Sequence, residues 1–301
     1  SSPDLLSLTS ELNEDMCLIE TWADSKGLSI APEKSSITLF SPDLHQAKYH
    51  PQVSYKGKII PLDRNPKWLG LYQDGRIANA YLANDLKTRL ARRHQIVKAL
   101  SGTSWGQSKE TLLLTYKLLM RSLIDYGCPV YFPNISDTSL KKLQVQQNAA
   151  LRTVTGCHMK SPIEFLHTEC QELMVKDHLE LLSAQHLASA LRRDHPSHAV
   201  VTSPPGPRQM KETLYSKCIE LVSPHLTDGV MLEVNYKKAI SALHCGAVAK
   251  AVCAAGPNPV IGRYPPAVNI KEEETLTRVH RCALRQLRSG YCHRLKSYLH
   301  S

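Results

Sequence analysis

The sequence predicts a mainly α-helical protein with a small β part, and three observations carry that reading. From Asn79 onward, leucines and other apolar residues recur three and four positions apart, as one face of a helix requires. Before Asn79 and after an opening helix, the apolar runs are short and bounded by Gly, Pro and Asp, the mark of brief strands and turns. No run approaches the ~20 apolar residues of a membrane helix.

The elements follow in order. Leu5, Leu8, Leu12, Met16, Ile19 and Trp22 predict a helix over 3–26, with Gly27 as its stop. Short strands are read at Leu28–Ile30 and Ser36–Phe40, on either side of the turn Ala31-Pro32-Glu33-Lys34. Lys56-Gly57 between Val53–Tyr55 and Lys58–Ile60 is a hairpin signal. A short apolar strand follows Pro66 at Trp68–Tyr72. Then come three amphipathic helices with short connections, 79–100, 108–124 and 136–155, which predict a small bundle. The chain stays helical to Arg193, crosses a rigid Ser203-Pro204-Pro205-Gly206-Pro207 segment, and resumes at 209–222, 233–254 and 272–299. The reading is thus three regions: 1–75 with the β part, a helical bundle over 76–157, and a helical extension over 158–301.

Charge narrows the partners. The formal net charge is +10, and residues 76–157 alone hold 12 Lys or Arg against four acids. Between Arg278 and Lys296 there are six basic residues and no acid. Basic excess on helices in a chain without membrane signals points to nucleic acid, with solvated helix faces as the bland alternative. Nine scattered cysteines with no CxxC pair read as reduced intracellular thiols. Cys157-His158 with His167 and Cys170 fits no common zinc spacing, and no metal site is read there. The first residue is Ser1 rather than Met, as in a fragment of a longer reading frame.

Four stretches then carry a resemblance. They are Trp22 to Ile30 with Glu33-Lys34-Ser35; Pro66-Lys67-Trp68-Leu69-Gly70-Leu71; Ala99 to Gly106 running into Leu114-Thr115-Tyr116-Lys117; and Leu143 to Gly156, containing Gln146-Gln147-Asn148-Ala149-Ala150-Leu151-Arg152. In this order they resemble the reverse transcriptase of jockey-like non-LTR retrotransposons. Weaker likeness continues through His195-Pro196-Ser197-His198 to Leu287-Arg288-Ser289-Gly290-Tyr291-Cys292.

The resemblance implies a palm remnant with a primer-grip hairpin over 1–75, a thumb over 76–157 and a C-terminal extension. It also implies what this chain lacks: the fingers, the rest of the palm and its Asp pair, which hold the Mg²⁺ ions of the intact parent. By itself the fragment is expected to be inactive and to need no cofactor. The implied partners are an RNA template and a DNA primer, held as an RNA–DNA hybrid, and the missing parts of the parent. The implied setting is the element's ribonucleoprotein in cytoplasm and nucleus, with no membrane. The rival reading is a domesticated or decayed retroelement fragment, serving as an RNA- or protein-binding scaffold or without function.

Site residues follow from the resemblance and the charge pattern. Lys34 occupies the turn that resembles the motif where a lysine protonates the departing pyrophosphate; the alternative is a solvated turn lysine. Lys67, Trp68 and Gly70 resemble the primer grip, although Trp68 itself is expected to be buried in the hairpin. Lys87, Arg89, Arg92, Arg93, Lys117 and Arg121 are candidate phosphate contacts of the thumb, not all on one face because Lys87 and Arg89 point about 200° apart. Arg281, Arg285 and Arg288, at spacings of four and three, form a second candidate stripe for nucleic acid. Residues 76–157 are expected to fold better alone than the whole chain.

Overall fold

A computed structural model describes residues 4–41, 43, 45–76, 78–102, 105–203, 213–255, 273 and 275–292. It is mainly helical, with two small antiparallel hairpins as its sheets. The chain divides between Leu82 and Ala83 into two compact units.

The first unit begins with α1 (Leu5–Ser25), whose N-terminus is capped by the Asp4 carboxylate accepting from the Leu6 amide. Hairpin β1 (Ser54–Tyr55) and β2 (Lys58–Ile59) pairs Ser54 with Ile59 and Tyr55 with Lys58. Its two-residue loop puts Lys56 and Gly57 at φ 47° and 74°, the doubly left-handed turn that matches strand twist. Val53, Tyr55 and Ile60 are buried against Leu12, Met16, Ile30 and Ile37. Asn13 fastens helix to hairpin by donating to the Gln52 carbonyl (3.0 Å) and accepting from the Ser54 amide (3.1 Å).

Two expectations change here. Leu28–Ile30 and Ser36–Phe40 are not strands; residues Pro32–Lys34 make a 3-10 turn, and Ile37 forms a single parallel bridge to Leu62. Pro61, next to Leu62, has no amide proton to extend the pairing on that side. Where the apolar pattern alone gave one strand over 68–72, the chain forms a hairpin, β3 (Lys67–Trp68) paired with β4 (Leu71–Tyr72).

The second unit contains most of α2 (Ala80–Ala99) and the remaining helices. Ser108 caps α3 (Lys109–Tyr116) by accepting from the Thr111 amide. The helix expected to run unbroken over 108–124 passes through a π-helical turn, Lys117–Arg121, before α4 (Ser122–Asp125). Short α5 (Cys128–Tyr131) leads to α6 (Asp137–Thr155), which starts at its Ser136 cap and ends at Gly156 with φ 71°. Those two signals were in the sequence, and the helix matches the 136–155 reading closely.

The extension packs on this bundle. Helices α7 (Ile163–Cys170) and α8 (Val175–Ala190) are separated at Gln171, whose φ of 51° ends α7. After α9 (His198–Thr202), α10 (Leu214–Val222) and α11 (Glu233–Ala255) lie on α8. Ser183, Ala184 and Ala188 keep the buried side of α8 slim, so neighbouring helices approach closely. The core there comprises Ala184, Leu187, Leu191, Cys218, Val222 and Met231. The last described helix is α12 (Arg278–Arg288). Residues 204–207 and 209–212 of the expected linker and helix, and 293–299 of the expected last helix, lie outside the described residues.

Candidate nucleic-acid interface

Helix α2 presents its apolar positions Leu82, Leu86, Leu90 and Val97 inward. At 100° per residue, its solvent side carries Asn84, Thr88, Gln95 and the charged Lys87, Arg92 and Lys98, all exposed. Helix α6 runs beside it in the same direction. Asn84 accepts from Lys142 Nζ (2.8 Å), and His94 meets Thr153 (2.9 Å) one further stretch along both helices. The pairing brings Lys142 next to the α2 cations. Lys87, Arg92 and Lys98 have no ion pair among the described residues. Lys98 and Lys142 were not among the sequence candidates. The polar surface of α6 signalled Lys142 only weakly, because its pairing with α2 is a tertiary fact.

The other four candidate cations of this bundle are engaged internally. Arg89 pairs with Asp85 one turn away (3.4 Å). Arg93 donates to the Leu119 carbonyl in the π turn (2.5 Å). Lys117 and Arg121 converge on one carboxylate, Lys117 Nζ at 2.8 Å from Oε1 of Glu172 and Arg121 Nη1 at 2.5 Å from Oε2. Glu172 is buried, where a charge is costly unless it is paired. Arg121 also contacts His178, which itself bonds Asp125 (2.8 Å).

The expected arginine stripe of α12 is a correction. Arg285 is 1% exposed, with Nε 3.3 Å from Glu169 Oε1. Arg288 is held by Glu273 (2.5 Å), and Arg281 donates to the Leu276 carbonyl (2.8 Å). Buried carboxylates on other elements draw this face inward; spacing along one helix cannot reveal them. Lys109, also buried, completes the cluster through Glu169.

In the first unit, Trp68 is 67% exposed and Leu69 77%, so the expected burial of Trp68 does not occur. The hairpin is only two residues deep on each side, and Leu71 alone supplies its buried contact. Leu69 and Gly70 have φ 47° and 86°, and Gly70 is the residue that tolerates its position without a Cβ penalty. Lys67 Nζ lies over the Tyr72 ring at 5.2 Å. Lys34 is exposed in its 3-10 turn.

The Gln147-Asn148 pair of the fourth resembling stretch is structural in this fold. Gln147 donates to the Leu173 carbonyl (3.0 Å), and Asn148 Oδ1 meets His167 Nε2 (3.0 Å). His167 Nδ1 faces the Glu172 carbonyl (2.9 Å), so both ring nitrogens are committed. Burial pushes its pKa below the ordinary histidine value. Burial likewise pushes the Cys157 thiol up to about 12. Among the described residues no group of three or more His, Cys, Asp or Glu can hold a metal ion. No described helix is long and apolar enough to cross a membrane.

Comparison with known proteins gives one informative result. No family model matches, and no solved structure matches. The chain is similar to a probable RNA-directed DNA polymerase from transposon X-element of Drosophila melanogaster, at 25% identity over 189 residues. The match covers 58% of this chain and 20% of that protein, so the chain spans about a fifth of its relative's length.

Proposed function

We propose that this chain is part of an RNA-directed DNA polymerase of a non-LTR retrotransposon, jockey-like in type, and that it grips the template–primer duplex. The observation that carries the proposal is the α2 face, with Lys87, Arg92 and Lys98 exposed and free of ion pairs among the described residues. Lys142 adds a fourth cation beside it. Such a face binds phosphates without reading bases, which suits a polymerase that must hold every sequence in turn. The distant relationship to a transposon polymerase supports the same reading.

In this reading the bundle is the thumb, and its partner is an A-form-like RNA–DNA hybrid. The hairpin tip of Lys67, Trp68 and Gly70 presents backbone and an exposed ring to the primer. Lys34 serves as a proton donor only when the parent's remaining parts are present. Polymerase chemistry of this class uses Mg²⁺. The described residues do not fit a metal, so no step on this chain is routed through one. The fragment alone is read as inactive, working within the element's ribonucleoprotein.

The test is anisotropy titration of a labelled RNA–DNA hybrid across salt concentrations. Binding should weaken steeply with salt, and Lys87→Glu or Arg92→Glu should each lower the salt slope by about 1. Trp68→Ala should weaken binding to a primer terminus while leaving stability within about 0.5 kcal/mol, since the ring is exposed. Absence of hybrid binding at low salt, or slopes indifferent to both charge reversals, would reject the reading.

A further inference from the structure

One edge of the first unit is open. Its extended rows lie in the order 53–55, 58–62 and then residue 37, which bridges to Leu62. Ile37 donates to the Pro61 carbonyl (3.0 Å) and accepts from the Asp63 amide (3.0 Å), and the Ser41 amide donates to the Gly75 carbonyl (2.8 Å). Residues 37 and 41 thus face the rows already present. In an extended segment the alternate residues direct their backbone groups to the opposite edge. Those of Ser36, Thr38 and Phe40 have no backbone partner among the described residues. Residues 36–40 have the composition of a strand, Ser-Ile-Thr-Leu-Phe, but a neighbour on one side only. Unpaired edges of this kind are templates for another strand.

Helix α1 leaves a second apolar side uncovered next to this edge. It packs on the first hairpin through Leu12, Met16 and Asn13. On another side Leu8, Ile19 and Trp22 are exposed. Together with Glu11 and Asp15 they fall within an arc of about 80° at 100° per residue. A groove of about 180 Å³ runs between that side and the open segment, lined by Leu8, Glu11 and Asp15 on one wall and Ile37, Thr38 and Leu39 on the other. A strand paired to residues 36–40, about 4.8 Å beyond them, lies under this side of α1. Its alternate side chains then cover Leu8, Ile19 and Trp22.

Charge selects the occupant. In a chain of net charge +10, α1 carries Glu11, Glu14, Asp15, Glu20 and Asp24 and no Lys or Arg. Asp24 is paired with Lys56 (2.7 Å), and the other four have no ion pair among the described residues. This surface repels phosphates and favours a basic partner. It also disfavours a second copy of this chain, because joining two such edges brings two acidic helices together. We infer that the Ser36–Phe40 edge and the open side of α1 together bind an extended polypeptide strand, apolar at alternate positions and bearing lysine or arginine. Main-chain pairing supplies affinity, and α1 supplies selectivity. No residue of the proposed duplex-binding face takes part, so the inference does not rest on that reading.

The experiment titrates the full chain with a fluorescein-labelled peptide, Lys-Val-Thr-Ile-Thr-Val-Lys, followed by anisotropy and by hydrogen exchange. The peptide should bind, and the amides of Thr38 and Phe40 should gain protection. The same peptide with Glu at both ends should bind about tenfold more weakly or worse. Ile19→Asp, at an exposed position, and Phe40→Pro, which removes an open amide, should each weaken binding about tenfold. Both should keep the parent circular dichroism spectrum; if Phe40→Pro folds poorly, Ile19→Asp decides. No binding at millimolar peptide, equal binding of the acidic peptide, or binding that survives Ile19→Asp overturns the proposal. Dimerisation of the chain in sedimentation, lost in Ile19→Asp, also overturns it by giving the edge to a second copy. Hybrid binding should be unchanged in Ile19→Asp. Peptide binding without hybrid binding leaves this site standing and removes the duplex reading.

Discussion

Lys109 and Glu169 form an ion pair away from solvent: Nζ stands 3.0 Å from Oε1, and the side chains are 1% and 5% exposed. Arg285 approaches the same oxygen, and Arg288 lies 3.9 Å from the other. The pair ties α3, the second helix of the bundle, to α7, and Arg285 brings α12 to the same carboxylate, which explains why an arginine sits in the interior. Desolvation makes such a cluster a modest source of net stability but an expensive one to break.

Removing the shared carboxylate should be worse than removing one cation. Glu169→Leu leaves Lys109 and Arg285 buried without it and is expected to cost about 3–5 kcal/mol. Lys109→Met leaves Glu169 beside Arg285 and Arg288 and should cost less than half as much. Urea unfolding of both variants decides this; equal losses would show that Glu169 is not the hub.

The same pair bears on dissection of the chain. Residues 83–157 cut out alone would strand Lys109 without Glu169, and Lys117 and Arg121 without Glu172. The excised bundle should therefore melt at lower temperature than the whole chain, or not cooperatively, contrary to what its helical pattern suggests. Circular dichroism melts of the two compare directly. A sharper, higher melt for the excised piece would refute the role given to these contacts.

Gly156 ends α6 against Cys282 of α12. A Cβ there would stand 2.4 Å from Cys282 Sγ and 3.1 Å from Cys282 Cβ, with the backbone at φ 71°. Gly156→Ala combines a clash with a left-handed backbone, together worth roughly 2–4 kcal/mol. Hydrogen exchange should show α12 amides losing protection. Unchanged exchange would mean that α12 does not dock as described.

Acid should destabilise the protein before its carboxylates titrate. His94, His167 and His186 all have pKa values lowered by burial from the ordinary 6.5. Below 6.5 the unfolded chain takes up protons that the native state refuses. Stability is thus full above that pH and falls as pH drops toward the native values. Melting temperature should decline between about pH 7 and pH 5.5. His167→Gln should show a shallower decline, and a flat profile in the parent chain would contradict the buried, neutral histidines.

Local chemistry made a good part of this protein legible from sequence. Ser136 and Gly156 bracket α6, Lys56-Gly57 turns the first hairpin, and the leucines of α2 face inward as their spacing requires. These are interactions between residues a few positions apart, so the chain specifies them alone. What the sequence could not fix depends on partners distant in the chain. Arg285 looked like surface until Glu169, 116 residues earlier, was placed beside it. Lys117 and Arg121 looked like phosphate contacts until Glu172 took both. Trp68 looked buried because large aromatics usually are, yet a hairpin two residues deep has no interior to receive it. A charged side chain is surface or core according to whether packing brings it a counter-charge, and only the tertiary structure decides that.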